Sequence, residues 1–265
     1  MLISPMKTHK IIAWLLFCGL LLLLYACSSP AESQGETFEV VERTRPANPP
    51  WQYTRTPDLS LTATATARES AITDYIYFES FDQNTYDWRV GATENPYWDG
   101  SIDIQNGTYT WQIDSVNETF MAWANFKAAL DLQDFDVALR VRRVTGEPLQ
   151  ACFGMLFRIS PEGIDEGTYL MSVCDNGYYK VMYYNAETHW DPIQDWTRTS
   201  AIYQDDWNLI EISARSSSFS VLINHQLVLT FSDSRLPRGE IAILVDYYTQ
   251  TPGQIEFDFF ALQPE

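Results

Sequence analysis

Residues 73–265 are predicted to form an all-β domain: two antiparallel sheets packed face to face as a jelly roll. Three observations predict it. Short runs rich in Val, Ile, Phe, Tyr and Trp recur roughly every ten residues, separated by turn residues. Several of these runs alternate apolar and polar residues, the period of a strand with one buried face. No stretch carries a sustained 3.6-residue apolar period with helix caps.

Taken in order, residues 134–142 alternate most cleanly. Phe135, Val137, Leu139 and Val141 face inward, while Asp136, Ala138, Arg140 and Arg142 face the other way. The next two strands are expected to turn Phe153, Met155, Phe157, Tyr169, Met171 and Val173 inward, joined by a loop near residues 160–167. Placing Arg158 opposite Thr168 sets Cys152 directly opposite Cys174, within disulfide range. A turn follows at Asp175-Asn176-Gly177. The face taken by Lys180 depends on whether that turn has two residues or three, because a one-residue slip reverses every side chain. Residues 207–213 and 219–224 form a hairpin. Asn224-His225 turns the chain again into 226–231, since Asn tolerates the positive φ of a tight hairpin turn. Residues 239–245 and 254–260 close the domain.

Composition limits the partners. Hydrophobic residues make up 46% of the 265-residue chain and charged residues 20%, which excludes wholesale disorder. The formal net charge is −18, and it belongs to the folded part, with 29 Asp+Glu against 11 Lys+Arg over residues 73–265. Such a chain repels phosphate backbones and anionic headgroups, so nucleic acid is excluded as a partner. Neutral ligands, cations and basic partners remain.

The N-terminal part has a different texture. Lys7 and Lys10 precede an uncharged apolar run from Ile11 to Ala26, 16 residues long. A transmembrane helix needs roughly 20, and the run fits the apolar core of a signal peptide. Leu24-Tyr25-Ala26-Cys27 resembles the bacterial lipobox, with Tyr25 where a small residue is usual. The resemblance implies a lipoprotein signal peptide over 1–26, lipid attachment at Cys27, and an extracytoplasmic protein anchored to a bacterial membrane. An ordinary cleaved signal and an uncleaved anchor helix are the alternatives; each places the rest of the chain outside the cytoplasm. Residues 27–72 hold Cys27 and a flexible Pro/Thr/Ala/Ser tether, containing Trp51 and Tyr53. Such a tether spans roughly 35–40 Å. With Cys18 in the signal and Cys27 lipidated, Cys152 and Cys174 are left as one pair in an oxidising compartment.

The order Asp134-Phe-Asp-Val, Phe153 to Arg158, Gly167-Thr-Tyr-Leu and Asp175-Asn-Gly-Tyr-Tyr-Lys-Val resembles bacterial concanavalin A-like domains. So do Trp196 to Ile202, Asn208-Leu-Ile, Val221 to Asn224 and Phe257-Asp-Phe-Phe. That group includes laminin-G-like modules and 3-keto-disaccharide hydrolase-like domains. The resemblance covers residues 75–262 and implies the fold; it leaves function open, because one fold hosts many functions.

The residues that could carry chemistry are few. His189 and His225 sit in no triad or zinc context, and His225 reads as a turn residue. Glycosidases need two carboxyl groups at roughly 5–10 Å. The strand-face motif of concanavalin-like glucanases is absent; Glu162, Asp165 and Glu166 have the wrong spacing, and Glu256-Phe-Asp258 stands alone. Glu79, Asp82 and Asp258 come from the first and last strands and form a candidate set for a structural calcium.

Binding is better served. Aromatics make up 14% of the chain, with 9 Trp and 15 Tyr. Flat aromatic rings stack on the apolar faces of sugars while nearby polar groups take the hydroxyls. Trp98, Trp190 and Trp196, placed in or beside loops, are the expected platforms, while Trp111, Trp123 and Trp207 follow strand alternation into the core. Arg140, Arg142, Arg158, Ser172 and Lys180 are expected on one sheet face, as a ligand groove or as internal pairing with the acids. The leading reading is a membrane-tethered carbohydrate-binding module. The alternatives are a protein-interaction or structural domain of the cell envelope, and a glycoside-processing hydrolase.

Overall fold

The computed structural model describes residues 75–265, apart from 129–130 and 149–150. The expected signal peptide, Cys27 and the expected tether with Trp51 and Tyr53 lie outside the described residues. In chain order the strands are β1 (Tyr77–Glu79), β2 (Gly91–Glu94), β3 (Trp98–Gln105), β4 (Thr108–Val116), β5 (Phe120–Asn125), β6 (Phe135–Thr145), β7 (Ala151–Ile159) and β8 (Thr168–Cys174). They continue as β9 (Tyr178–Asn185), β10 (His189–Arg198), β11 (Asn208–Arg215), β12 (Ser218–Ile223), β13 (Gln226–Ser232), β14 (Glu240–Tyr247) and β15 (Gly253–Pro264). One single-turn 3-10 helix, Ile164–Glu166, lies between β7 and β8.

Two antiparallel sheets result. The nine-stranded sheet runs β13-β12-β11-β6-β15-β4-β3-β2, with β1 also paired to β15. The six-stranded sheet runs β10-β9-β8-β7-β14-β5. The fold is the two-sheet sandwich that the alternating runs predict. Its core holds Phe135, Val137, Leu139 and Val141 from β6 against Phe153, Met155, Phe157, Tyr169, Met171 and Val173 from β7 and β8.

Turn chemistry fixes the register. Asn224 and His225 both take positive φ, 50° and 63°, and Ile223 pairs with Gln226, a two-residue hairpin loop. The β8–β9 loop has three residues, because Cys174 pairs with Tyr178. Gly177 closes it at φ +91°, which side chains rarely tolerate. Ser172 then pairs with Lys180, which settles the face of that lysine. Cys152 pairs with Cys174 across β7 and β8, and the two are disulfide-bonded.

Two arginines reach the buried interior. Arg143 extends the inward row of β6 beyond Val141, where a buried charge requires a partner. Asp175 in the β8–β9 turn supplies it: the Arg143 Nε donates to Asp175 Oδ2 at 2.9 Å, and Nη2 lies 2.7 Å from the same oxygen. Asp175 Oδ1 accepts the N–H of Asp205 at 2.9 Å, and Arg143 also pairs with the Asp205 carboxylate. One ion pair therefore joins β6 of the first sheet to a turn of the second and to the loop before β11. Burial pushes the Asp175 carboxyl up, while the Asp205 N–H and the guanidinium pull it down.

Arg158 is the second. It is the extra residue of a β-bulge, between Ile159 opposite Glu240 and Phe157 opposite Ile241, and it takes φ 49°. Its guanidinium is fully buried, donates to the carbonyls of Leu236 (2.7 Å), Gln133 (2.7 Å) and Ser216 (2.5 Å), and lies over the Phe219 ring. Burial lowers its pKa.

Asp175→Asn leaves the buried Arg143 with only the exposed Asp205 carboxylate and the Gly146 carbonyl. It is expected to lower unfolding free energy by up to about 3–5 kcal/mol, read as a reduced midpoint in urea at an unchanged slope.

Candidate functional site

The outward face of the six-stranded sheet carries the candidate site. Alternation on β7, β8 and β14 turns Leu156, Leu170, Ala242 and Leu244 outward as an apolar floor, with half-buried Met121, Trp123 and Met182 packed against it. Trp123, expected in the core, is on this face because it pairs with Leu244.

A polar cluster is set into the floor. Asp246 follows Leu244 on the outward row of β14, and its Oδ2 accepts the hydroxyls of Tyr248 (2.7 Å) and Ser172 (3.0 Å) and forms an ion pair with the Lys180 ammonium (3.2 Å). Lys180 also donates to the Tyr248 hydroxyl, and its Nζ lies 4.7 Å from the Trp196 ring centre and 5.0 Å from that of Tyr248. Trp196 and Tyr248 meet edge to face at 6.1 Å. They are 40% and 38% exposed, whereas Lys180 and Asp246 are buried, so rings face solvent and the charges lie beneath them. Burial, then the Asp246 carboxylate, raises the Tyr248 pKa, so the phenol stays a neutral donor.

The edge pair β9–β10 extends this cluster into a strip. Trp190 pairs with Tyr184, Pro192 with Met182 and Arg198 with Tyr178, all on the Lys180 face. Six residue steps from Tyr184 to Tyr178 make the strip about 20 Å long at ~3.3 Å per residue. Trp190 is 38% exposed and its ring centre lies 4.7 Å from that of Tyr184. At this end a cavity of about 500 Å³ is lined by Tyr183, Asn185, Thr188, Trp190, Asp191 and Arg235. Arg235 lies 3.9 Å over the Tyr183 ring, bonds Asp191 at 2.5 Å and is clamped by Asp233.

The expected site residues separate into those the strip collects and those placed elsewhere. Trp190, Trp196 and Lys180 stand together on it, the two tryptophans on a strand and not in loops. Trp98 is 3% exposed: it opens β3 and stacks on Trp111 and Phe120, so it has no face for a ligand. The expected arginine stripe is divided. Arg140 and Arg142 lie on the nine-stranded sheet, where they pair with Asp258 (2.7 Å) and Glu256 (2.7 Å) and cover the half-buried Trp207. Arg158 is turned inward by its bulge. The reason is that alternation assigns a face within a strand, not the sheet to which the strand belongs.

The expected calcium ligands do not converge. Glu79 accepts the backbone N–H groups of Phe81 (3.1 Å), Thr85 (2.9 Å) and Tyr86 (3.2 Å), stapling the loop after β1. Asp258 faces Arg140, and the exposed Asp82 accepts the Ser80 hydroxyl. Among the described residues no group of three His, Cys, Asp or Glu is placed to hold a metal. Asp246, Tyr248 and Tyr184 were not singled out in the sequence, and Trp123 was assigned to the core. The signal for Asp246 was an acid completing the Ala242–Leu244 row of an apolar strand.

The fold has solved counterparts. A carbohydrate-binding module of family CBM66 from Bacillus subtilis superposes with a TM-score of 0.50 at 15% identity, over 68% of this chain and 97% of that one. SCLam, a non-specific endo-beta-1,3(4)-glucanase of family GH16, superposes at 0.54 and 13% identity, over 72% and 91%. A prokaryotic beta-1,3-1,4-glucanase from a mouse hindgut metagenome gives 0.54 and 13%, over 71% and 99%. At these identities the likeness concerns the sandwich alone. No family model and no curated protein matches the chain.

Asp233 offers a pH test beside the strip. Burial raises its pKa, but the Arg235 side chain and N–H and the Tyr169 hydroxyl outweigh this and hold it below the usual carboxylate range. A depressed carboxylate contributes stability that is complete above its unfolded pKa, about 3.9, and lost as pH falls through the lower folded value. The melting temperature of Asp233→Asn is therefore expected to lie below that of the native protein at neutral pH and to converge on it in acid.

Proposed function

We propose that the protein is a carbohydrate-binding module whose ligand, an oligosaccharide chain, lies along the β9–β10 strip. The observation that carries this reading is the exposure of Trp190 and Trp196 on one face, four β9 residue steps or about 13 Å apart, each beside an ion pair. The rings offer apolar platforms, and Lys180–Asp246 and Arg235–Asp191 offer donors and acceptors whose mutual pairing removes the cost of an unpaired charge. The spacing suits a chain of several sugars better than a single one. The neighbours include a carbohydrate-binding module and glucanases, which supports the reading without deciding the sugar.

Binding is favoured over hydrolysis by the state of the carboxylates. Asp246 is engaged by three donors. Glu162, Asp165 and Glu166 lie in the β7–β8 connection, and Glu256 and Asp258 on the other sheet. Glu256 and Asp258 are each held by an arginine, Arg142 and Arg140. The same proposal holds the module outside the cytoplasm, tethered through a lipid on Cys27; two acyl chains or more anchor stably.

On a glycan array the intact chain is expected to bind oligosaccharides of one class in preference to their monosaccharides. Trp190→Ala and Trp196→Ala are each expected to weaken that binding at least tenfold with an unchanged circular dichroism spectrum. Absence of glycan binding, or equal binding by both variants, overturns the reading. In cells, Cys27→Ser is expected to abolish labelling by a fatty acid and release the protein from the membrane fraction; unchanged labelling overturns the anchor.

A further inference from the structure

The geometry points to a second, charge-selective subsite at the other end of the strip: Arg198 binds an anionic group, a carboxylate or a sulfate ester, carried by a sugar. The inference rests on the glycan-binding reading above and adds the chemical class of one sugar in the ligand.

The first observation is how the cations are used. Of the eleven Lys and Arg among the described residues, eight form ion pairs with carboxylates. Arg158 is held by three carbonyls and Arg89 donates to the Thr93 hydroxyl. Arg198 alone among them has a guanidinium with no hydrogen bond, ion pair or ring contact to the described residues, and it is exposed. In a domain with 29 carboxylates, a solvent-facing arginine that meets none of them keeps its five donors available.

The second observation is where it stands. A cavity of about 750 Å³ is lined by Arg198, Thr199, Ser200, Tyr203, Gln204 and Asp206. Tyr203 is an exposed ring, and the hydroxyls and amide suit sugar hydroxyls. Asp206 forms no ion pair with Arg198; its Oδ1 accepts the Trp207 N–H at 2.7 Å. The cavity floor is fixed by the glycine turn, where Thr199 N–H donates to Gly177 O at 2.9 Å. It is continuous with the strip, because Arg198 pairs with Tyr178.

The chemistry follows from the guanidinium. Its planar fork binds carboxylate or sulfate oxygens in pairs, which an ammonium does not. The acidity of the rest of the domain restricts the ligand to few negative charges, since repulsion is screened only beyond about 8 Å at physiological salt. A chain that is neutral along the tryptophans and bears its charge at the Arg198 end satisfies both conditions.

The test is a titration of the full chain, labelled with 15N-arginine, with glucuronate, glucose 6-sulfate and glucose, following the Arg198 Nε–Hε resonance. At least one anionic sugar is expected to bind tenfold or more tightly than glucose and to shift that resonance. The tighter of the two assigns the carboxylate or the sulfate ester as the natural group. Arg198→Gln is expected to abolish the preference, and Arg198→Lys to keep only part of it. Equal response to all three sugars, or a preference that survives Arg198→Gln, overturns the subsite. Array binding by the same preparation separates the two readings: retained Trp196-dependent oligosaccharide binding without anion preference overturns the subsite alone, and loss of both overturns both.

Discussion

The ion pair between Arg143 and Asp175 is the contact on which the site depends. A sandwich of two sheets has open ends, and the apolar core cannot continue into them without leaving backbone groups unpaired. Here one end is closed by a charge from β6 reaching across to a turn of the opposite sheet. The same carboxylate takes the N–H of Asp205, so the turn that aims Tyr178 and Lys180 and the loop that carries Tyr203 and Gln204 are fixed by one side chain. The pair costs desolvation on both partners, and its value is positional more than energetic.

On the carbohydrate-binding proposal, the strip is the means by which a strongly acidic protein presents polar groups to a neutral ligand. Lys180 on it is balanced by Asp246, and Arg235 at the β9–β10 edge by Asp191 and Asp233, while Arg198 at the far end is left without a carboxylate among the described residues. A ligand hydroxyl entering such a site exchanges water for donors and acceptors whose geometry is set in advance, which lowers the ordering cost of binding. The rings above the charges carry the apolar contact. At Trp196 the two contributions come from different layers, aromatic surface outside and the Lys180–Asp246 pair beneath.

Much of the fold was legible in the sequence because alternation reports burial directly. The inward rows of β6, β7 and β8 follow it residue by residue, and the Cys152–Cys174 pairing followed from register arithmetic. What was not legible has three physical causes. A bulge shifts the phase of the residues beyond it, turning Arg158 inward and Ile159 outward, and so Arg158 was placed on the wrong side. A strand's alternation does not identify its sheet, and so Arg140 and Arg142 were grouped with Lys180. Edge strands need no apolar alternation, and so β10, with Pro192 and two register shifts, read as loop; its tryptophans were found by exposure and not by element.

The position of β10 has a consequence for how the protein can diverge. It is bonded to a single neighbour, and most of its side chains are exposed. Residues exposed along it share few contacts with the core, so substitutions there change the stability of the molecule little. Selection can therefore rewrite the exposed face of β10, one edge residue at a time, while the sandwich beneath is inherited unchanged. Related proteins are expected to agree at Arg143, Asp175 and Arg158 and to differ along 189–198.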